Sequence, residues 1–285
     1  MRMIFVPVAD RPECARALRT AFDLGQRVDA NICGCHIRPH NHSDVVLPSE
    51  LGSIADHDAA WETAWAGKKT RKSDGTARML FEQVAARQHY EIIKKPRSTT
   101  GAVWLEKVGS PDKVLSIMGP VSDLIIVSRP TLIGGTLARL FMMAAVLNSA
   151  RPVLVLPKSG PLVIGKRICI AWNQSAEAAQ AVSAAMPLLR LADQVNIITC
   201  GRERSGGPKS SQLATYLRFW GVKSKRFTVN ADSDTKGLIK GYKDSESDLM
   251  VMGAYSRSRV RQRIFGGVTE FMLQRAKIPV FMLHS

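Results

Sequence analysis

The sequence predicts an α/β protein made of two repeated units, and three observations carry that expectation. Short apolar, β-rich runs alternate with segments of helical spacing along most of the 285 residues. The runs recur: DLIIVS at 123–128 resembles DLMVMG at 248–253, RPVLVL at 151–156 resembles IPVFML at 278–283, and MIFVPV at 3–8 resembles RICIA at 167–171. Each pair holds the same place in its half, and the turn-rich KSGP at 158–161 separates the halves. Domains of residues 1–158 and 159–285 follow, both of ordinary domain size.

The second half reads in order. Residues 167–172 form a strand, and Ser175 caps a helix with Glu177 in its first turn. Val182, Ala185, Met186 and Leu189 give that helix its spacing. Residues 194–200 are a strand. Leu213, Tyr216, Leu217 and Trp220 fall at i, i+3, i+4 and i+7, predicting a helix with Gly221 as its stop. Strands at 225–229, 248–252 and 280–283 and helices at 235–243 and 267–276 complete the unit. Alternation of this kind implies a parallel sheet with right-handed crossovers and ligands at the strands' C-terminal ends.

The first half follows the same plan less faithfully. Strands at 3–8 and 31–37 flank a helix from about Pro12. Strands at 102–108, 123–128 and 153–156 complete the set. An insertion over about 38–96 interrupts it and is expected outside the shared core. It holds Trp61 and Trp65 one turn apart, and Ala77, Leu80, Phe81 and Val84 at helical spacing. The last strand of each half, 153–156 and 280–283, is short and apolar. The two are expected to pair antiparallel across a pseudo-twofold axis, which removes two aggregation-prone edges.

Composition narrows the function classes. The net charge is +16, from 40 basic and 24 acidic residues, which favours anionic partners. There is no basic block of five, no aromatic-interleaved ribonucleoprotein signature and no zinc-finger spacing, so no specific nucleic-acid partner is expected. No apolar run approaches the length of a membrane span, and no membrane partner is expected. The N-terminus enters a strand at once, without a signal-peptide pattern, which points to the cytoplasm. Five scattered cysteines argue against a disulfide framework.

The stretch richest in chemistry is GAYSRSRVRQRIFGG at 253–267. A strand ends at Gly253, a loop carries Arg257, Arg259, Arg261 and Arg263, and Gly266 and Gly267 open a helix. Free N–H groups and the helix dipole favour an anion at such a start, and glycine allows close backbone approach. The same residues also suit a solvated turn shaped by glycines.

With AWNQSAEAA at 171–179, DLMVMGAYSRSR at 248–259 and FGGVTEFML at 265–273, the chain resembles the universal stress protein family in its tandem two-domain form. The resemblance implies two Rossmann-like, adenine-nucleotide hydrolase-like domains. Each would have a five-stranded, mostly parallel sheet, and the two would pack as an intrachain pseudo-dimer. It implies a stress-response role by ligand sensing or protein interaction, with ATP or another adenine nucleotide as ligand of the second domain. The nucleotide site would comprise Ala171, Asn173, Thr199, Gly253, Ser256, Ser258, Arg259, Arg261, Gly266, Gly267, Val268 and Thr269. ATP-binding members carry glycine, two residues, glycine, nine residues, glycine, then serine or threonine. Here Gly253 and Gly266 keep the spacing, Ser256 replaces the second glycine and Gly267 the final hydroxyl. Asn173 stands where binders have an acid. In the first domain Ala9 takes that position, and SRPTLIGG at 128–135 lacks the strand-end glycine. A nucleotide-independent scaffold or chaperone-like role stays open, as do a slow ATP hydrolase and a homodimer of the whole chain.

Other constellations are weaker. Cys33, Cys35 and His36, with His40, His42 and Asp44, match no standard zinc spacing, and the two cysteines share a strand face that His36 does not. No nucleophile elbow, P-loop or metalloprotease helix is present, and no catalytic residue is nominated. Glu246 and Asp248 are expected to cap or pair locally.

Overall fold

The computed structural model describes residues 1–9, 11–38, 71–95, 99–130, 135–254 and 267–284. They form two compact units, Arg2–Ser149 and Ala150–Ser285, with Met1 grouped in the latter.

The first unit runs β1 (Met3–Val8), α1 (Pro12–Val28), β2 (Asn31–Arg38), α2 (Arg71–Arg87), β3 (Ala102–Val108), α3 (Pro111–Met118), β4 (Leu124–Ser128) and α4 (Gly135–Asn148). Its sheet order is β3-β2-β1-β4, with parallel pairing throughout. Pro12 and Glu13 suit the first turn of α1, where amide donors lack intrahelical partners. The helix ends at Asp29, which takes a left-handed φ of 52° and returns its N–H to the Gly25 carbonyl. Leu18, Ala21, Phe22 and Leu24 of α1 are fully buried. Burial of each large side chain contributes about 1.5–3 kcal/mol.

Helix α2 revises the expectation for the insertion. It is a crossover helix between β2 and β3, not an appendage outside the core. Ala77 and Phe81 are fully buried and Val84 nearly so. Phe81 lies 5.7 Å from Phe22 and 5.3 Å from Trp104, centroid to centroid. A Cβ on Gly34 would sit 2.5 Å from the Phe81 ring, so β2 carries glycine where that ring enters. The helical spacing at 77–84 therefore signals a core face. Trp61 and Trp65 lie outside the described residues.

The second unit runs β5 (Val153–Leu156), β6 (Arg167–Ala171), α5 (Ala176–Leu189), β7 (Gln194–Cys200), α6 (Ser210–Phe219), β8 (Ser224–Val229), α7 (Asp234–Asp244), β9 (Leu249–Ala254), α8 (Gly267–Gln274) and β10 (Val280–His284). The sheet order is β5-β10-β9-β6-β7-β8. All pairs are parallel except β5 with β10, where Val280 faces Val155 and Met282 faces Val153. The two short apolar strands thus pair antiparallel, and by compactness β5 groups with the second unit, ahead of the 158–161 turn. Among the described residues, ten strands in an alternating α/β order match the expected strand set.

In one helix the apolar stripe is covered only in part. Leu213 and Leu217 of α6 are buried, but Tyr216 is 39% exposed and Trp220, just past the helix, 46%. Helix α6 leads into β8, the last strand of the order, so only a narrow stripe of it finds cover. Gly221, with φ of 76°, ends the segment as expected.

Candidate functional site

In the second unit β6, β7 and β8 advance toward one edge of the sheet, while β9 and β10 lie on the other side of β6. The order therefore reverses between β6 and β9, the crevice where α/β sheets bind ligands. Ile170 pairs with Val251 and Ala171 with Ile198. Ala171, Thr199 and Gly253 consequently stand at the C-terminal ends of three neighbouring strands. Gly267 opens α8, which follows β9 in the chain.

Gly253 has a steric role of its own. A Cβ there would lie 2.6 Å from the Ala178 amide nitrogen and 2.7 Å from Glu177 Cβ. The strand end presses directly on the first turn of α5, and glycine is what permits it. Ser175 caps that turn, its Oγ accepting from the Ala178 N–H at 3.1 Å. Glu177 is 5% exposed and adds a carboxylate to the helix start.

Asn173 follows β6 in an Asx turn, its Oδ1 accepting from the Ser175 N–H at 3.2 Å. The Arg204 guanidinium donates to the Asn173 carbonyl at 2.9 Å. Gln174, at a left-handed φ of 63°, exchanges two hydrogen bonds with the Arg204 backbone, at 2.6 and 3.0 Å. Trp172 donates its indole N–H to the Pro208 carbonyl at 2.9 Å. The connection after β7 is thereby clamped to the connection after β6. Sequence reasoning passed over Gln174 and Arg204. The signal for Arg204 was its place in a loop leaving the same end of the sheet.

Thr199 is buried and its hydroxyl is turned toward β8, 3.3 Å from Thr228 Oγ1 and 3.4 Å from the Phe227 carbonyl. Gly267 is exposed, with open space where a Cβ would stand, Val268 is half-buried and Thr269 is buried. Ser256, Ser258, Arg259, Arg261 and Gly266 lie outside the described residues. The described part of the predicted site therefore comprises three strand ends, one turn and one helix start.

The first unit has a cleft at the equivalent place, between the ends of β1 and β4. It encloses about 390 Å³, partly open to solvent, and its walls include Pro7, Ala9, Glu13, Cys14, Ser128 and Phe141. Ser128 Oγ and Glu13 Oε1 are buried there without a hydrogen-bond partner among the described residues, the latter 3.9 Å from Arg11 Nη1. Arg129, next in the chain, is 2% exposed, and burial pulls its guanidinium down to about 10.

The Cys33, Cys35 and His36 group sits inside the first unit. Burial pushes both thiols up to about 12, and His36 Nδ1 lies 3.0 Å from the Val8 carbonyl. Among the described residues no cluster suited to a metal ion is formed; His40, His42 and Asp44 lie outside them.

Residues 174–284 match the model of the Universal stress protein family, a span that takes in every element from α5 to β10. Residues 174–284 form a universal stress protein domain. The crystal structure of a universal stress protein from Archaeoglobus fulgidus is similar along the whole chain. It has 13% identity and a TM-score of 0.65, and the match covers 99% of this chain and 98% of that one. A functionally unknown protein from Pseudomonas aeruginosa is similar at 14% identity with a TM-score of 0.52, over 100% of this chain and 92% of its own. No curated protein matches the chain. At these identities the likeness is one of fold. It extends the Rossmann-like architecture of the universal stress protein domain to the first unit as well.

Proposed function

We propose that the protein is a cytoplasmic stress-response protein of the universal stress protein type, acting by ligand sensing or protein interaction. Its second unit binds an adenine nucleotide weakly. The observation that carries the reading is the convergence of Ala171, Asn173 and Gly253 where the strand order reverses, with the basic glycine loop leading from Gly253 to the start of α8. Phosphates would lie near Gly253, Ser256, Gly266 and Gly267, and the base near Ala171–Asn173 and Thr199. Asn173 offers one acceptor and two donors to a ribose or adenine edge.

A nucleotide-independent scaffold or chaperone-like role has its own support. Gly253 is already required by the packing of β9 on α5, and the Asn173 turn is already engaged by Ser175 and Arg204. Calorimetric titration of the full chain with ATP at low salt separates the two. The sensor reading expects weak, salt-sensitive heat that strengthens in Asn173→Asp, which restores the acid of nucleotide-binding family members. Absence of binding in both proteins retires it and leaves the scaffold reading.

A further inference from the structure

The far end of the second unit, where its strands begin, carries aromatic and cationic side chains that the fold leaves uncovered. Phe219 is 86% exposed, and Trp220 beside it is half-exposed. The neighbouring connection presents Arg190 and Leu191, and Leu191 is also half-exposed. Register brings the two connections together. Val195 pairs with Ser224, and Leu191 and Trp220 each precede their member of that pair by four residues. Ser183 and Tyr216 touch at 3.4 Å between the helices behind them, α5 and α6.

The chain on either side of Phe219 and Trp220 is basic. Residues 210–231 contain Arg218, Lys223, Lys225 and Arg226 and no acidic residue. Lys223, Lys225 and Arg226 are exposed and form no ion pair with a described residue. Asp193, two residues after Leu191 in the connection before β7, is an exposed acid at this end, and its N–H bonds the Lys166 carbonyl. A solvated basic face does not need a phenylalanine in water. An exposed aromatic pair flanked in the chain by lysine and arginine matches the boundary between acyl chains and anionic headgroups.

We infer that this end of the second unit docks on an anionic lipid surface, with Phe219, Trp220 and Leu191 entering the headgroup layer and Lys223, Lys225 and Arg226 facing lipid phosphates. The contact is peripheral. No helix among the described residues is long and apolar enough to cross a membrane. It also lies at the opposite ends of the strands from Asn173 and Gly253, so it does not depend on the nucleotide reading.

Vesicle co-sedimentation of the full chain tests this. Probes are pure phosphatidylcholine and phosphatidylcholine with about 30% phosphatidylglycerol, which supplies the negative surface potential. Binding is expected only to the anionic vesicles and is lost near 1 M salt, where the Debye length falls to about 3 Å. Lys225→Glu with Arg226→Glu weakens it by at least about fivefold per charge. Phe219→Ala with Trp220→Ala abolishes it, and Phe219→Ala alone weakens it with thermal unfolding unchanged, because Phe219 is almost wholly solvent-exposed. Equal binding to both vesicles, or none to either, overturns the proposal. So does tighter binding to single-stranded polyuridylate than to vesicles, which would assign the tip to nucleic acid. A concentration-dependent dimer that the Phe219 and Trp220 substitutions dissolve, without vesicle binding, would assign it to a second copy.

Discussion

Asp248 Oδ2 accepts a hydrogen bond from the Arg167 amide at 3.1 Å, tying the start of β9 to the start of β6. The same carboxylate takes the Lys166 amide at 3.1 Å and, through Oδ1, the Gly165 amide at 2.7 Å. Asp123 does the same work in the first unit, accepting from the amides of Arg2 at 2.5 Å and Met3 at 3.0 Å. The repeated aspartate before each fourth strand is thus a backbone staple. It satisfies amide donors where a neighbouring strand begins.

Replacing Asp248 with Ala should lower stability by about 2 kcal/mol, since hydrogen bonds to a charged group contribute roughly 1.5–3 kcal/mol and this one is half-buried. Asp123→Ala, with fewer amides to lose, should cost less. Urea unfolding of both variants checks the order. Equal and negligible effects would contradict the staple.

Gly253→Ala should destabilise the second unit by more than about 2 kcal/mol, because its Cβ would meet backbone of α5 at 2.6 Å. Gly267→Ala meets open space and should be neutral or stabilising by up to about 1 kcal/mol at a helical position. Thermal unfolding distinguishes them. Equal tolerance at the two sites would show that β9 does not press on α5.

Phe81→Ala should cost about 3–5 kcal/mol, the range for emptying a buried aromatic site. A segment outside the core would show almost no loss. Denaturant midpoints of the full chain decide between the two.

Cys33, Cys35 and Cys169 should resist iodoacetamide at pH 8 in the native protein. Burial raises each thiol to about 12, so the thiolate is scarce at that pH as well as shielded. In denaturant all five cysteines should label at comparable rates. Native labelling of Cys169, read by peptide mass spectrometry, would overturn the burial.

Most of the fold could be read from the chain because local signals agreed with the global pattern. The strands at 3–8, 102–108, 153–156 and 194–200 have the predicted bounds, and Ser175 caps its helix as expected. The revised insertion and the partly exposed stripe share a cause. Helical spacing marks a face but not what covers it. At Ala77 and Phe81 the face is covered by α1 and β2, while at Tyr216 and Trp220 the sheet ends first. The site was readable only in part. Gly253 stood out by its neighbours in sequence, but Gln174 and Arg204 meet across 30 residues of chain, and no local pattern announces such a clamp.

The pairing of β5 with β10 has a practical consequence for dissecting the molecule. A fragment begun at Ala150 keeps the strand that pairs with the outer edge of Val280–Met282. One begun nine residues later discards it and leaves a bare ladder of amides on an apolar strand. Such a piece would seek a substitute in the nearest identical strand, another β10, and pair with its own kind. The short strand before the 158–161 turn therefore also decides whether the last strand of the second repeat is capped or self-adhesive.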